Sequence, residues 1–189
     1  GVGTVYRARD ERTGAIVAVK VFESGPDRPP EVARKLRDRE VRMLVSVQHP
    51  NIVSFLDAGE VEDDCWYAME FVEDNLFRCI RKGNEFDLVT RVHILRQAAA
   101  ALVAMHQRGI VHRDVKPGNI LLDRDPNGAV HVKLTDLGIA KEVGETEIVQ
   151  AQGPARVDGT AKYLSPEQIA RRRVDGRADV FSLGVVAYE

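Results

Sequence analysis

The sequence predicts an α+β fold in two parts, a small strand-rich part over residues 1–71 and a mainly helical part over 72–189. Three observations predict it. The first 22 residues alternate in the manner of strands, and the runs at 52–56 and 65–72 are apolar and rich in β-branched or aromatic side chains. After Glu73-Asp74-Asn75 the apolar residues recur at helical spacing. Hydrophobic content of 44% and charged content of 30% over 189 residues supply enough material for packed cores and exclude a disordered chain.

In order along the chain, Gly14 supplies the turn of a hairpin between Val5-Tyr6-Arg7-Ala8 and Ile16–Phe22. The stretch Gly25-Pro26-Asp27-Arg28-Pro29-Pro30 breaks the sheet. A helix is expected from about Glu31 to Val47, with Val32, Leu36, Leu44 and Val47 as its apolar stripe and Met43 beside it. Glu40 falls on that stripe, and Lys20 falls inside an almost continuous apolar strand. Each charge would be costly if buried alone. They either meet or reach water separately along their stems, and periodicity leaves both open. Two strands around an acidic turn, Ile52–Leu56 and Cys65–Val72, bring the small part to about five strands and one helix. Leu76, Phe77 and Ile80 then begin a short helix, and Leu88–Gln107 forms a long one with Val92, Leu95, Leu102 and Met105 as its core face. Gly109 suits its C-terminal turn, and Asn127-Gly128 joins Ile120–Leu122 to Val130–Leu134 as a hairpin.

A net charge of −2 gives no overall attraction to nucleic acid or to a membrane surface. No run is expected to reach the ~20 apolar residues of a membrane span, and no signal peptide is expected within these residues. A cytoplasmic location is expected for these residues, with a membrane anchor outside them left open. Cys65 and Cys79 lack metal-ligand spacing and read as packed free thiols. His93, His106 and His131 are scattered, suggesting no metal site, and Trp66 reads as core.

The chemistry concentrates in His112-Arg113-Asp114-Val115-Lys116-Pro117-Gly118-Asn119, a loop between an apolar helix and a short strand. Several charged groups crowded there must face one another, a cleft or a ligand. This stretch resembles the catalytic loop of protein kinases, H-R-D-x-x-x-x-N, in its serine/threonine form. The resemblance extends over nearly the whole chain. Gly1-Val2-Gly3-Thr4-Val5 is similar to the end of the glycine-rich loop, and Val17-Ala18-Val19-Lys20 to the strand that carries the phosphate-binding lysine. Glu40 stands nine residues before His49-Pro50-Asn51, where the family places the glutamate partner of that lysine. Asp136-Leu137-Gly138 replaces Asp-Phe-Gly, Ser165-Pro166-Glu167 replaces Ala-Pro-Glu, and Asp179–Gly184 resembles the start of the central helix.

The resemblance implies a bilobal kinase fold, cut at both ends, and phosphoryl transfer from Mg-ATP to serine or threonine hydroxyls of proteins. It implies Asp114 as catalytic base, Lys116 neutralising the transferred group, and Asn119 and Asp136 holding magnesium. Around ATP it implies Gly1, Gly3, Val5, Ala18, the Lys20–Glu40 pair and Leu121. Met69 would control access behind the adenine, with Glu70 to Val72 as the hinge. His112 is expected to pack against the segment after Asp136, and Asp179 to bond the catalytic-loop backbone. Thr160 would help seat the substrate hydroxyl. Arg113 beside Asp114 implies activation by phosphorylation, for which Thr146 or Thr160 is the candidate, and two copies could associate for autophosphorylation. A family arginine that pairs with the Pro-Glu glutamate has no counterpart after Glu167, so these residues expressed alone are expected to fold poorly and to be inactive. A kinase-like binding module without catalysis is the alternative, opposed by the presence of Lys20, Asp114 and Asp136. A small-molecule phosphotransferase fits less well, because Gly159–Glu167 resembles a peptide-binding segment.

Overall fold

Lys20 sits on the strand that centres the first half of the molecule. In this computed structural model, which describes residues 3–83, 86–136 and 161–189, the chain divides into two compact units. One comprises Gly1–Gln48 with Val53–Val72, the other His49–Ile52 with Glu73–Glu189.

The first unit is a four-stranded antiparallel sheet with one helix. Its strands are β1 (Thr4–Arg9), β2 (Ile16–Phe22), β3 (Phe55–Val61) and β4 (Asp64–Glu70), in the order β1-β2-β4-β3. The described residues thus carry four strands in this sheet where about five were expected. Ile52–Ser54 also falls outside β3, which instead runs on through the stretch read as an acidic turn to Val61. Gly14 turns the β1–β2 hairpin at φ +73°, donating to the Asp10 carbonyl at 2.7 Å. Ala18, Lys20 and Phe22 of β2 stand opposite Met69, Tyr67 and Cys65 of β4, and all six are buried. Helix α1 (Pro30–Ser46) buries Ala33, Leu36, Glu40 and Leu44, with Val47 just beyond its end. This is the heptad-like spacing expected of a core-facing stripe, moved from Val32 to Ala33. Trp66 is half-buried rather than core. It lies across Gly59 of β3, where a Cβ would come within 2.6 Å of the indole. Among the described residues of this unit, Phe22 and Tyr67 are the wholly buried aromatics.

In the second unit, β5 (Asp74–Asn75), β6 (Ile120–Arg124) and β7 (Val130–Leu134) form a small sheet. Helix α2 (Leu76–Arg81) is capped by the Asn75 side chain, and α3 (Leu88–His106) by Asp87. Helix α3 turns Ile94, Ala98, Ala101, Leu102 and Met105 inward. Val92, expected in the core, is 55% exposed, because Ile94 rather than Val92 continues the inward row. Gln97 explains why residues 49–52 belong to this unit. Its buried amide accepts from Asn51 Nδ2 at 2.9 Å and from Val132 N at 3.0 Å, and donates to Val130 O at 2.9 Å. By length and composition alone α3 is long and apolar enough to cross a membrane, so the described residues leave the expectation of no such segment unconfirmed. Here it packs on β7 as a core helix. Gly109 at φ +71° ends it, and Gly128 at φ +85° turns the β6–β7 hairpin. A short Pro166–Ile169 helix and the Gly176–Tyr188 helix complete the unit. Cys65 and Cys79 are buried free thiols, and burial pushes the Cys65 thiol up.

Candidate active site

Lys20 and Glu40 lie in the first unit. Lys20 Nζ donates to Glu40 Oε1 at 3.1 Å and to Oε2 at 2.9 Å, and both side chains are almost wholly buried. Of the two possibilities that periodicity left, the structure has the charges meeting. A buried ion pair offsets its desolvation only when further hydrogen bonds satisfy the remaining lone pairs. Tyr67, directly across from Lys20 in the β2–β4 register, supplies one: its hydroxyl donates to Glu40 Oε2 at 2.9 Å. Sequence reasoning missed Tyr67. The available signal was its place in the inward row Cys65, Tyr67, Met69, where it alone carries a hydroxyl.

Around this pair, Ala18 and Met69 face each other across the register and are buried. Val5 stands opposite Lys20 and is exposed. Gly3 is required by the sheet itself, since a Cβ there would lie 2.6 Å from the Val21 carbonyl oxygen. Glu70 Oε1 accepts from the Ser54 amide at 2.7 Å, and Val72 is half-buried. Gly1 lies outside the described residues.

The loop between α3 and β6 lies in the second unit. Asp179, wholly buried on the Gly176–Tyr188 helix, accepts from His112 N at 2.8 Å and from Arg113 N at 2.7 Å. His106 Nε2 lies 2.7 Å from the same carboxylate. These bonds hold Arg113 in a left-handed conformation, φ +63°, that a non-glycine residue adopts only under constraint. The next residue is Asp114. Its Oδ2 accepts from Lys116 Nζ at 2.9 Å and Asn119 Nδ2 at 3.1 Å, and the same Nδ2 donates to the Asp114 carbonyl at 2.8 Å. Asp114, Lys116 and Asn119 therefore form one cluster, with Val115 buried behind it. His112 is wholly buried and its Nδ1 accepts from Asp114 N at 3.4 Å. The segment it was expected to pack against lies outside the described residues, as do Thr146 and Thr160.

The Asn119 amide nitrogen is committed to Asp114, so its oxygen is the end turned away from that bond. The Thr135 amide donates to the Asn119 backbone carbonyl at 3.1 Å, and Asp136 is the next residue along the chain. Asp136 is half-buried with φ +54°. This donor set is oxygen only and contributes two protein groups. It suits magnesium, which keeps water and phosphate oxygens for its other positions. Among the described residues no cluster of three or more His, Cys, Asp or Glu offers an all-protein metal cage. Leu121 is half-buried on β6, opposite Asn75.

A buried lysine–glutamate pair on a small sheet in one unit, and in the other an Asp–Lys–Asn loop anchored by a distant aspartate, are features of the protein kinase class of fold. The family model of the protein kinase domain matches residues 1–189, and the chain belongs to that family. It is similar to serine/threonine-protein kinase PknA of Mycobacterium tuberculosis, 39% identical over 195 residues that take in all of this chain and 43% of that protein. A probable serine/threonine-protein kinase of Streptomyces coelicolor, SCO3848, is 38% identical over 194 residues, all of this chain and 28% of that protein. PknB of Mycobacterium leprae is 38% identical over 195 residues, all of this chain and 30% of that protein. The chain thus spans less than half the length of these relatives.

Proposed function

We propose that the protein containing this chain transfers the γ-phosphoryl group of ATP to serine or threonine hydroxyls of proteins. The observation that carries the reading is the Asp114 carboxylate, held by Lys116 and Asn119 on a loop whose backbone Asp179 fixes. Asp114 accepts the proton of the attacking hydroxyl as its oxygen bonds to the γ-phosphorus and the bond to the β-phosphate oxygen breaks, leaving ADP. Lys116 offsets charge on the transferred group. The Asn119 oxygen and the Asp136 carboxylate would hold magnesium, which when bound neutralises charge on the phosphates. Lys20, aligned by Glu40, holds the α- and β-phosphates, while Gly3, Val5, Ala18, Met69, Glu70, Val72 and Leu121 surround the nucleotide. The two compact units are the small lobe and part of the large lobe. The serine/threonine class is supported by the similarity to PknA and PknB.

The test uses the full-length protein, labelled ATP and a generic protein substrate. Asp114→Asn is expected to lower label incorporation by about 10²–10⁴-fold, the range of a lost general base. Equal incorporation by both proteins removes Asp114 from the mechanism. Calorimetry of the full-length protein with ATP and Mg²⁺ is expected to give a binding heat, and no heat would overturn the reading as a whole.

A further inference from the structure

We propose that Gln168 is a positioning residue that sets the direction of Asp114 by clamping the peptide group before it. The inference rests on the kinase reading and adds to it a residue outside the loop. Gln168 lies on the Pro166–Ile169 helix and uses both ends of its amide. Oε1 accepts from Ser165 N at 3.0 Å and Ser165 Oγ at 3.2 Å, while Nε2 donates to the Arg113 carbonyl at 2.8 Å. The reversed amide would set oxygen against oxygen at Arg113 and amine against N–H at Ser165, so only one orientation satisfies both ends.

The peptide group joining Arg113 to Asp114 is thereby held at both edges. Gln168 takes its oxygen, and its N–H faces His112 Nδ1 at 3.4 Å. The preceding peptide is held through Arg113 N by Asp179 at 2.7 Å. Arg113 needs such clamps, because a residue with a side chain at φ +63° is disfavoured relative to a right-handed conformation. Without Gln168 this peptide can rotate, and that rotation swings the Cα–Cβ bond of Asp114 away from the hydroxyl it serves. Gln168 also ties the Ser165-Pro166-Glu167 turn to the catalytic loop, two stretches 55 residues apart in sequence.

Two substitutions in the full-length protein separate positioning from capping. Gln168→Glu keeps the oxygen that caps Ser165 and loses the donor to Arg113, whereas Gln168→Leu loses both. In both, kcat per nucleotide-binding site is expected to fall about tenfold while KM for MgATP holds, since a small misplacement of a reacting group has costs of this order. If Gln168 only caps its helix, Gln168→Glu retains the wild-type kcat, and the proposal is overturned. Failure of the kinase reading is separate and would be seen in the wild-type protein, as no transfer or as Asp114→Asn transferring normally.

Discussion

Replacing Tyr67 by phenylalanine removes one oxygen and nothing else from the Lys20–Glu40 site. The residue is 1% exposed, so the ring stays packed, and what is lost is the 2.9 Å bond to Glu40 Oε2. A hydrogen bond to a charged group contributes about 1.5–3 kcal/mol. Lys20 still bonds both oxygens of Glu40, at 3.1 and 2.9 Å, so the carboxylate is not orphaned and the loss belongs at the low end, about 1.5 kcal/mol. For a domain of this size that corresponds to a fall of about 3–6 °C in the midpoint of thermal unfolding. The assay is thermal unfolding of the full-length protein, wild type against Tyr67→Phe, repeated in a Glu40→Gln background. If the hydroxyl acts through the glutamate, the two substitutions couple, and the double variant loses less than the sum of the singles by about 0.5–1.5 kcal/mol. An unchanged midpoint refutes the reasoning. So does a strictly additive pair, which would mean that the hydroxyl serves the core generally.

Two further outcomes are expected. Gly59→Ala should lower the unfolding midpoint, because the new methyl would stand 2.6 Å from Trp66 Cζ2 and 2.8 Å from Cε2 on the facing strand. Overpacking of this kind costs about 1–3 kcal/mol, and an unchanged midpoint would show that the indole swings aside freely. Asp87 caps α3, and hydrogen bonds from the Thr90 side chain and then from its backbone N–H hold the Asp87 carboxyl below the usual carboxylate range. Its stabilising effect is therefore complete above the ordinary value near 4 and fades as pH falls through the lowered folded value. Asparagine caps equally well without titrating. Chemical denaturation of the wild type and of Asp87→Asn should give a difference that is constant at neutral pH and shifts against the wild type in acid. A pH-independent difference would rule out the titrating cap.

The sequence by itself determined the alternation of strands and helices, the buried stripe of α1 and the loop from His112 to Asn119. Each is a local pattern, a period of two or of three to four residues or a short motif, and local patterns survive in one dimension. It also placed Lys20 and Glu40 in apolar elements, which narrowed the question to whether they meet. What only the tertiary structure decided are the contacts that depend on register and on distant segments. Tyr67 joins the ion pair because β2 and β4 align it with Lys20. Val92 faces outward because helix rotation is set by Ile94, Ala98, Ala101 and Met105 together. Residues 49–52 belong with the second unit through the buried amide of Gln97. Gln168 reaches the Arg113 carbonyl across 55 residues. A hydrogen bond between remote residues depends on angstrom-scale placement of two backbones, and no periodicity along one chain encodes that.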